Sequence, residues 1–367
     1  MSQVLKHYQY LHTIPELGFE EHKTSAYISE QLKKAGYQVT EHVNGTTGLV
    51  AFYDSGKSGP TLALRADMDA LGHIIDGKHC AMHTCGHDAH SSIALTTAQQ
   101  VMQENIVKKG RIKFIFQPAE ELGSGALAMI EGGAIDDVDI IMGLHLRPKE
   151  ECPKGFATPA MYYSASTTIE VDFIGVPAHG ARPHLGINAL DAASLAIQSV
   201  NAIHLNPALS YSAKATRCLC DAGVTNSIPA KANVCWDLRA PTNQAMDELK
   251  AKVLQAIEFA ARSIGASANA VVSKEIPAAE INDEVTEIIA QGIKDVLGDK
   301  GLIAPVYTPG GEDFFNYPRQ KPTIKAGFWG LGVDLQPGLH HPNMHFDLDA
   351  MDIGVNISKA CVQRVLG

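Results

Sequence analysis

Nine consecutive positions, Met82-His-Thr-Cys-Gly-His-Asp-Ala-His90, carry three histidines, one cysteine and one aspartate. Thiolate sulfur and neutral imidazole nitrogen suit Zn²⁺ and similar borderline cations. Cys85 and His87 stand at alternate positions, so an extended loop aims both at one point. A helical pattern beginning near Asp88 places that loop at a helix N-terminus, where the positive dipole end favours a thiolate. An isolated Cys-x-His reads better as a buried thiol beside polar loop histidines; this density of donors reads as a cation site.

Four further features carry matching chemistry. Phe116-Gln-Pro-Ala-Glu-Glu121 follows an apolar run. Adjacent carboxylates there point in different directions, so one can bind metal while the other stays free as a general base. Gly143-Leu-His145 closes another apolar run, and Gly338-Leu-His-His-Pro342 lies near the C-terminus. Together these supply enough donors for two ions rather than one. In Arg65-Ala-Asp-Met-Asp69, Asp67 and Asp69 share one face of a strand end, where they pair with Arg65, ligate, or orient an imidazole. Other chemistries lack their signatures. No Gly-x-Ser-x-Gly elbow marks a serine hydrolase, and no His-x-Glu with Pro-Cys-x-x-Cys marks a zinc nucleobase deaminase. A cysteine-nucleophile amidase working through Cys85 predicts activity that survives metal removal.

The elements that must position these groups are those of a folded α/β protein. The chain has 367 residues, 45% hydrophobic and 19% charged, without a continuous apolar run of membrane-spanning length. Its formal net charge of −10 and lack of a Lys/Arg cluster argue against nucleic acid as a partner. Seven cysteines, an odd number spread along a long chain, read as reduced thiols. The start, Met1-Ser-Gln-Val-Leu-Lys-His-Tyr, has no secretory pattern, so the expected location is the cytoplasm.

Helical spacing occurs at Val4, Leu5, Tyr8 and Leu11 and from Thr24 to Ala35, with Gly36 as cap. Gly48 to Tyr53, Thr61 to Arg65, Arg111 to Phe116 and Ile140 to His145 read as buried strands, beyond whose carboxyl ends α/β sheets place their ligands. From Ser166 the texture changes to strict alternation, with Ile169, Val171 and Phe173 on one face. Val234, Trp236 and Leu238 repeat it. Helices over Asn188 to Ile203 and Asn243 to Ile264 complete an inserted α+β domain. The returning segment reads as helices over Val285 to Leu297 and Ala350 to Leu366 around a short strand, Thr323 to Phe328. Tyr162, Tyr163, Phe314 and Trp329 read equally as core or as pocket lining.

These motifs, with His12-Thr-Ile-Pro-Glu16, Arg65 to Leu71, Gly175-Val-Pro-Ala-His-Gly180, Asn226-Ser-Ile-Pro229 and Gly311-Glu-Asp-Phe314, extend along the whole chain. The chain resembles the M20 metallopeptidases. Within them it resembles the amidohydrolase subgroup of hippurate hydrolases, N-acetyl amino acid deacetylases and indole-acetyl-amino-acid hydrolases. The resemblance implies an α/β catalytic domain, residues 1–165 and 277–367, with a central mixed sheet flanked by helices. It also implies an inserted α+β lid and dimerisation domain, residues 166–276. The implied activity is metal-dependent hydrolysis of an N-acetyl or aroyl amino acid or a similar small amide, with a dipeptidase or an inactive binding relative as alternatives.

Two divalent ions per subunit, Zn²⁺ or Mn²⁺, are implied. Cys85 would bridge them, and His87, Glu121, His145 and His340 would complete their coordination. Glu120 would be the general base. The resemblance further implies that His179 reaches a neighbouring subunit's site to steady the oxyanion, which requires a homodimer. Asn226 and Arg239 match contacts to the substrate carboxylate. Asp67 stands where other M20 branches place a metal-binding histidine, leaving Asp67 and Asp69 to orient ligands. The stretch Asp69-Ala-Leu-Gly-His-Ile-Ile75 departs from the relatives' Asp-Ala-Leu-Pro pattern, and a different substrate choice is expected with it.

Overall fold

The computed structural model describes every residue from Met1 to Gly367. The buried apolar runs form a seven-stranded mixed sheet. Its order is Gln38–Thr40, Leu49–Asp54, Arg111–Gln117, Thr61–Asp67, Ile140–Pro148, Lys325–Leu335 and Ala157–Thr158. The four strands from Arg111–Gln117 to Lys325–Leu335 run parallel, with Asp67 opposite Gln117 and His145 opposite Gly330. Asp67, Gln117 and His145 therefore emerge together at the carboxyl ends of neighbouring strands. Strands buried on both faces carry continuous apolar sequence rather than alternation. Accordingly Thr61–Asp67 is buried at every position.

Helices Gln3–Leu11, His87–Gln103 and Ala350–Leu366 pack against one another, and Asp283–Leu297 lies on Ala350–Leu366 and on the strand Lys325–Leu335. Phe114, Phe116 and Leu331 join Ile93 and Ile357 in the resulting core, all with no exposure. Each such side chain contributes roughly 1.5–3 kcal/mol of burial free energy. Phe314 packs on Phe315, Tyr317 and Phe328 and is fully buried, as Trp329 nearly is, so both belong to the core. Tyr162 stacks on Tyr307.

The chain divides into two compact units, one of Met1–Tyr162, Glu280–Tyr307 and Asp313–Gly367, the other of Tyr163–Ala279 and Thr308–Glu312. The second holds a four-stranded antiparallel sheet in the order Ser212–Leu219, Lys231–Ala240, Ala165–Ile174, Ser267–Ile276. Alternation puts Ile169, Val171, Phe173, Val234, Trp236 and Leu238 under the helices Ala189–Asn201 and Asn243–Ser263. Asn188 and Thr242 cap these helices, each accepting a backbone N–H.

Several elements differ from the sequence reading. The strand expected over Thr323 to Phe328 runs from Lys325 to Leu335; it passes beneath the backbone of Pro153 and Phe156 at Gly332, where a Cβ would come within 1.9 Å of Pro153 O. Ser212–Leu219 and Ser267–Ile276 are edge strands with little burial and so carry little apolar alternation. The departing segment after Ala70 is a β-hairpin, Leu71–Ile75 paired with Lys78–Met82, which leaves Ile74 exposed. No helix is long and apolar enough to cross a membrane.

Candidate metal centre

Cys85 and His87 do not share an extended loop. His87 is the first residue of the helix His87–Gln103, and Gly86 before it takes φ +93°. That left-handed turn is open to glycine without the Cβ penalty, and here it brings both side chains to one place. Cys85 Sγ lies 3.5 Å from His145 Nε2. One donor atom from each of Cys85, His87 and His145 falls within 4.8 Å of the others; so do those of Cys85, Glu121 and His340, and of His87, Glu120 and Glu121. The five implied ligands and Glu120 thus converge, and Cys85 is common to two of the sets.

His87 and His145 each have Nδ1 engaged outside the cluster, which leaves Nε2 to it. His87 Nδ1 meets Asp69 Oδ1 at 3.1 Å, while its Nε2 is buried without a hydrogen-bond partner. The nearest carboxylate oxygens to that Nε2, on Asp67, Glu120 and Glu121, stand 3.9, 4.0 and 4.0 Å away. His145 Nδ1 donates to the carbonyl of Leu146 at 2.7 Å, leaving its Nε2 with a lone pair. Burial, followed by His90 and Arg147, holds the His145 pKa well below its ordinary value, so the ring is neutral. His340 Nε2 stands 3.2 Å from Glu121 Oε1, and its backbone N–H donates to Thr84 O at 2.6 Å. An orphaned buried nitrogen, a neutral imidazole and a thiol among carboxylates fit a pair of divalent ions held by mixed N, O and S donors.

The remaining histidines of the motif are differently engaged. His90 donates from Nδ1 to Asp67 Oδ1 at 2.7 Å and accepts the Leu146 N–H at Nε2, 3.0 Å away. Both nitrogens are used, so it holds structure rather than metal. His83 is buried without a hydrogen bond. His12 Nδ1 meets Asp88 Oδ2 at 2.6 Å.

Asp67 and Asp69 divide their tasks. Asp69 receives His87 through one oxygen and the Glu121 N–H through the other at 3.0 Å, tying two donors of the cluster together. Asp67 pairs with Arg65 Nη1 at 2.6 Å. Burial opposes its charge, yet His87, Arg65 and His90 together hold its carboxyl well below the usual range. The same Arg65 donates to Gln117 Oε1 at 2.9 Å and to Asp313 Oδ1 at 2.9 Å. Asp313 also accepts from Gln117 Nε2 at 2.8 Å and from the Ala126 N–H at 2.9 Å, and its own N–H donates to Glu120 Oε1 at 3.3 Å. Burial pushes the Asp313 carboxyl up to about 6 despite Arg65. The pairing of Arg65 with Asp67 matches one of the roles read from the sequence, but its extension to Gln117 and Asp313 escaped that reading. Its one signal was the polar pair Glu312-Asp313 before the fully buried Phe314.

Electrostatics separate the donors. Burial, then Glu121, pushes the Cys85 thiol well up, which disfavours a free thiolate nucleophile. Burial opposes the Glu121 charge, but His340 and His87 more than offset it and lower its pKa. Ala119, just before Glu120, and His340 both have positive φ, +51° and +64°. Such backbone costs on the order of 1–2 kcal/mol for an L-residue and marks sites where conformation is held from outside.

The second unit carries the other named residues. The short strand Ala178–His179 pairs with Ser227–Ile228, setting His179 opposite Ser227, one residue after the exposed Asn226. His179 Nδ1 accepts the Ala181 N–H at 3.0 Å. Arg239 Nε and Nη2 grip the two oxygens of Asp237, at 3.0 and 3.1 Å, on the face opposite Trp236 and Leu238.

Known proteins resemble the chain along most of its length. The chain is 32% identical over 356 residues to the N-acetyl-L-cysteine deacetylase of Bacillus subtilis, covering 94% of this chain and 83% of that protein. It is 31% identical over 303 residues to the hippurate hydrolase of Campylobacter jejuni, covering 79% and 78%. A Bacillus subtilis crystal structure described as a dinuclear metal-binding peptidase of the M20 family superposes with a TM-score of 0.77 at 25% identity, over 99% of this chain and 97% of that one. The family model for peptidase family M20/M25/M40 matches residues 63–364, which take in the Cys85, Glu120, His145 and His340 loops, and the chain belongs to that family.

Proposed function

We propose that this protein is a metal-dependent amidohydrolase that removes the acyl group from an N-acetyl or aroyl amino acid or a closely similar small amide. The observation that carries this reading is the buried Nε2 of His87, without a hydrogen-bond partner, in a residue that shares one donor set with Cys85 and His145 and another with Glu120 and Glu121. Relatives named as deacetylases and hippurate hydrolases support the substrate class.

In this reading Cys85, His87, Glu121, His145 and His340 would hold two divalent ions, Zn²⁺ or Mn²⁺. The ions would supply Lewis-acid polarisation of the amide carbonyl and lower the pKa of the attacking water. Glu120 takes the proton from that water as its oxygen bonds to the carbonyl carbon. It then delivers the proton to the amine as the C–N bond breaks, releasing carboxylate and amino acid. Asp69 orients His87 and the Glu121 backbone. His179, reaching the site of a second subunit, donates to the developing oxyanion, so the working form is a homodimer joined through the second unit. Asn226 and Arg239 bind the substrate carboxylate, with Arg239 exchanging Asp237 for it. We place the protein in the cytoplasm, where its seven cysteines stay reduced.

Glu120→Gln tests the assignment. The variant keeps its metals by elemental analysis and loses on the order of 10²–10⁴-fold in kcat, the usual contribution of a positioned base. Unchanged turnover overturns Glu120 as base. Activity on N-acetyl and N-benzoyl amino acids that persists after complete chelation overturns the metal mechanism.

A further inference from the structure

The segment Pro15–Glu21 contributes nothing to the metal cluster, yet it is bound to the loop that bears Glu120 and to the one that bears Asp69. Ala70, next to Asp69, donates its N–H to Glu16 O at 2.8 Å, and Leu17 forms a parallel bridge with Ala70. Glu21 is completely buried; its Oε1 accepts the N–H of Ala119 at 2.9 Å and its Oε2 accepts the hydroxyl of Thr47. Gly18 lies against the same residue. A Cβ there would come within 3.1 Å of Ala119 Cα and Cβ and 3.0 Å of Leu122 Cδ1.

We propose that Glu21 is a positioning residue for the reaction, holding Ala119 in its left-handed conformation so that Glu120 faces the metal cluster; this rests on the assignment of Glu120 as the base. Ala119 has φ +51° without being glycine, and the residue that follows it is Glu120. If Ala119 relaxed to an ordinary φ, the Glu120 side chain would swing away from its contact with the Asp313 N–H. Gly123 N–H bonds Glu120 O at 2.7 Å and Gly125 N–H bonds Ala119 O at 3.2 Å, and both fix the residues after the strained bond. Glu21 holds the N–H of the amide before it at 2.9 Å, whereas the carbonyl of that amide, Pro118 O, meets Gln117 Nε2 only at 3.4 Å. A buried carboxylate is costly unless its oxygens are used, and here one of them is used on this amide.

The experiment compares Glu21→Ala, Glu21→Gln, Ala119→Gly and the double variant Glu21→Ala with Ala119→Gly, alongside Glu120→Gln. Glu21→Ala is expected to lower kcat roughly 10–100-fold with KM little changed, the scale of a small misplacement of a reacting group. It should retain the wild-type metal content. Glu21→Gln keeps an acceptor for the Ala119 N–H and most of the activity. Glycine adopts positive φ freely, so Ala119→Gly should recover much of the loss in the double variant, which a packing defect would not allow. In metal-free protein, hydrogen exchange of the peptide spanning Gln117 to Leu122 should be faster in Glu21→Ala than in wild type. Should Glu21→Ala not fold, Gly18→Ala presses on the same loop and should give the same fall in kcat. Unchanged kcat, or a loss that follows metal content and is not recovered by Ala119→Gly, overturns the proposal. If Glu120→Gln is inactive while Glu21→Ala and Gly18→Ala are not, only the role of Glu21 fails. If Glu120→Gln is active, the reading of the base fails first.

Discussion

Asp69→Asn is the perturbation whose magnitude follows most directly from the geometry. The carboxylate is 1% exposed and accepts two donors, His87 Nδ1 at 3.1 Å and the Glu121 N–H at 3.0 Å. An asparagine keeps a single oxygen, so its NH₂ must face one of those donors. If the oxygen stays with Glu121, His87 can avoid a donor–donor clash only by moving its proton to Nε2, the nitrogen aimed into the cluster. Metal binding must then reverse that tautomer or break the new contact. A hydrogen bond to a charged group contributes about 1.5–3 kcal/mol. Loss of a partner that orients a metal-binding histidine typically weakens metal affinity about 10–100-fold. Tenfold corresponds to about 1.4 kcal/mol, so the two scales agree. The assay is titration of metal-free protein with Zn²⁺ or Mn²⁺ against a chelator of known affinity, with thermal melting of the metal-free forms as control. Affinity within about twofold of wild type, on a protein that melts normally, refutes the reasoning, since a twofold change is well under the loss of one such bond.

Arg65→Met leaves Asp67 and Asp313 buried without their shared cation and should destabilise the fold by about 3–5 kcal/mol in urea unfolding of the metal-free protein; a loss under about 1 kcal/mol contradicts the role of the network. Burial pushes the thiols of Cys152 and Cys361 up to about 12, so at about pH 8 a thiol reagent should label the exposed Cys80 and Cys218 in native protein and reach Cys152 and Cys361 only on unfolding. The hydrogen bond that His12 donates to Asp88 raises the His12 pKa above its ordinary value. The unfolded imidazole titrates near 6.5, so this stabilisation is complete below about pH 6.5 and lost as pH rises through the higher folded value. The melting-temperature gap between wild type and His12→Gln, measured without metal, should therefore narrow as pH rises through that range; a gap independent of pH contradicts the ion pair.

Local sequence and long-range packing contributed different parts of this picture. The donors were legible because metal chemistry needs particular side chains: Cys85 and His87 sit in a dense local motif, and Glu120 and Glu121 follow an apolar run. The strands were legible because full burial leaves continuous apolar sequence. Alternation marked Ala165–Ile174 and Lys231–Ala240 because one face of that sheet is covered by helices and the other is not. The hairpin after Ala70 had a local signal, Asp76-Gly77, where both residues take positive φ as a tight hairpin turn requires. Its strands lack apolar alternation because they are mostly exposed.

What the sequence alone determined is the donor chemistry and the alternation of elements, since both are written in residue types over short windows. The tertiary structure decided which atoms do what. Only the fold turns His90 away from the cluster, by placing the Leu146 N–H against its second nitrogen. Only it makes Arg65 the hub of Asp67, Gln117 and Asp313, residues up to 248 positions apart. Glu21 and Ala119, 98 positions apart, meet for the same reason. Hydrogen bonds of this length in sequence depend on how strands and loops are laid beside one another, and no spacing within a motif encodes that.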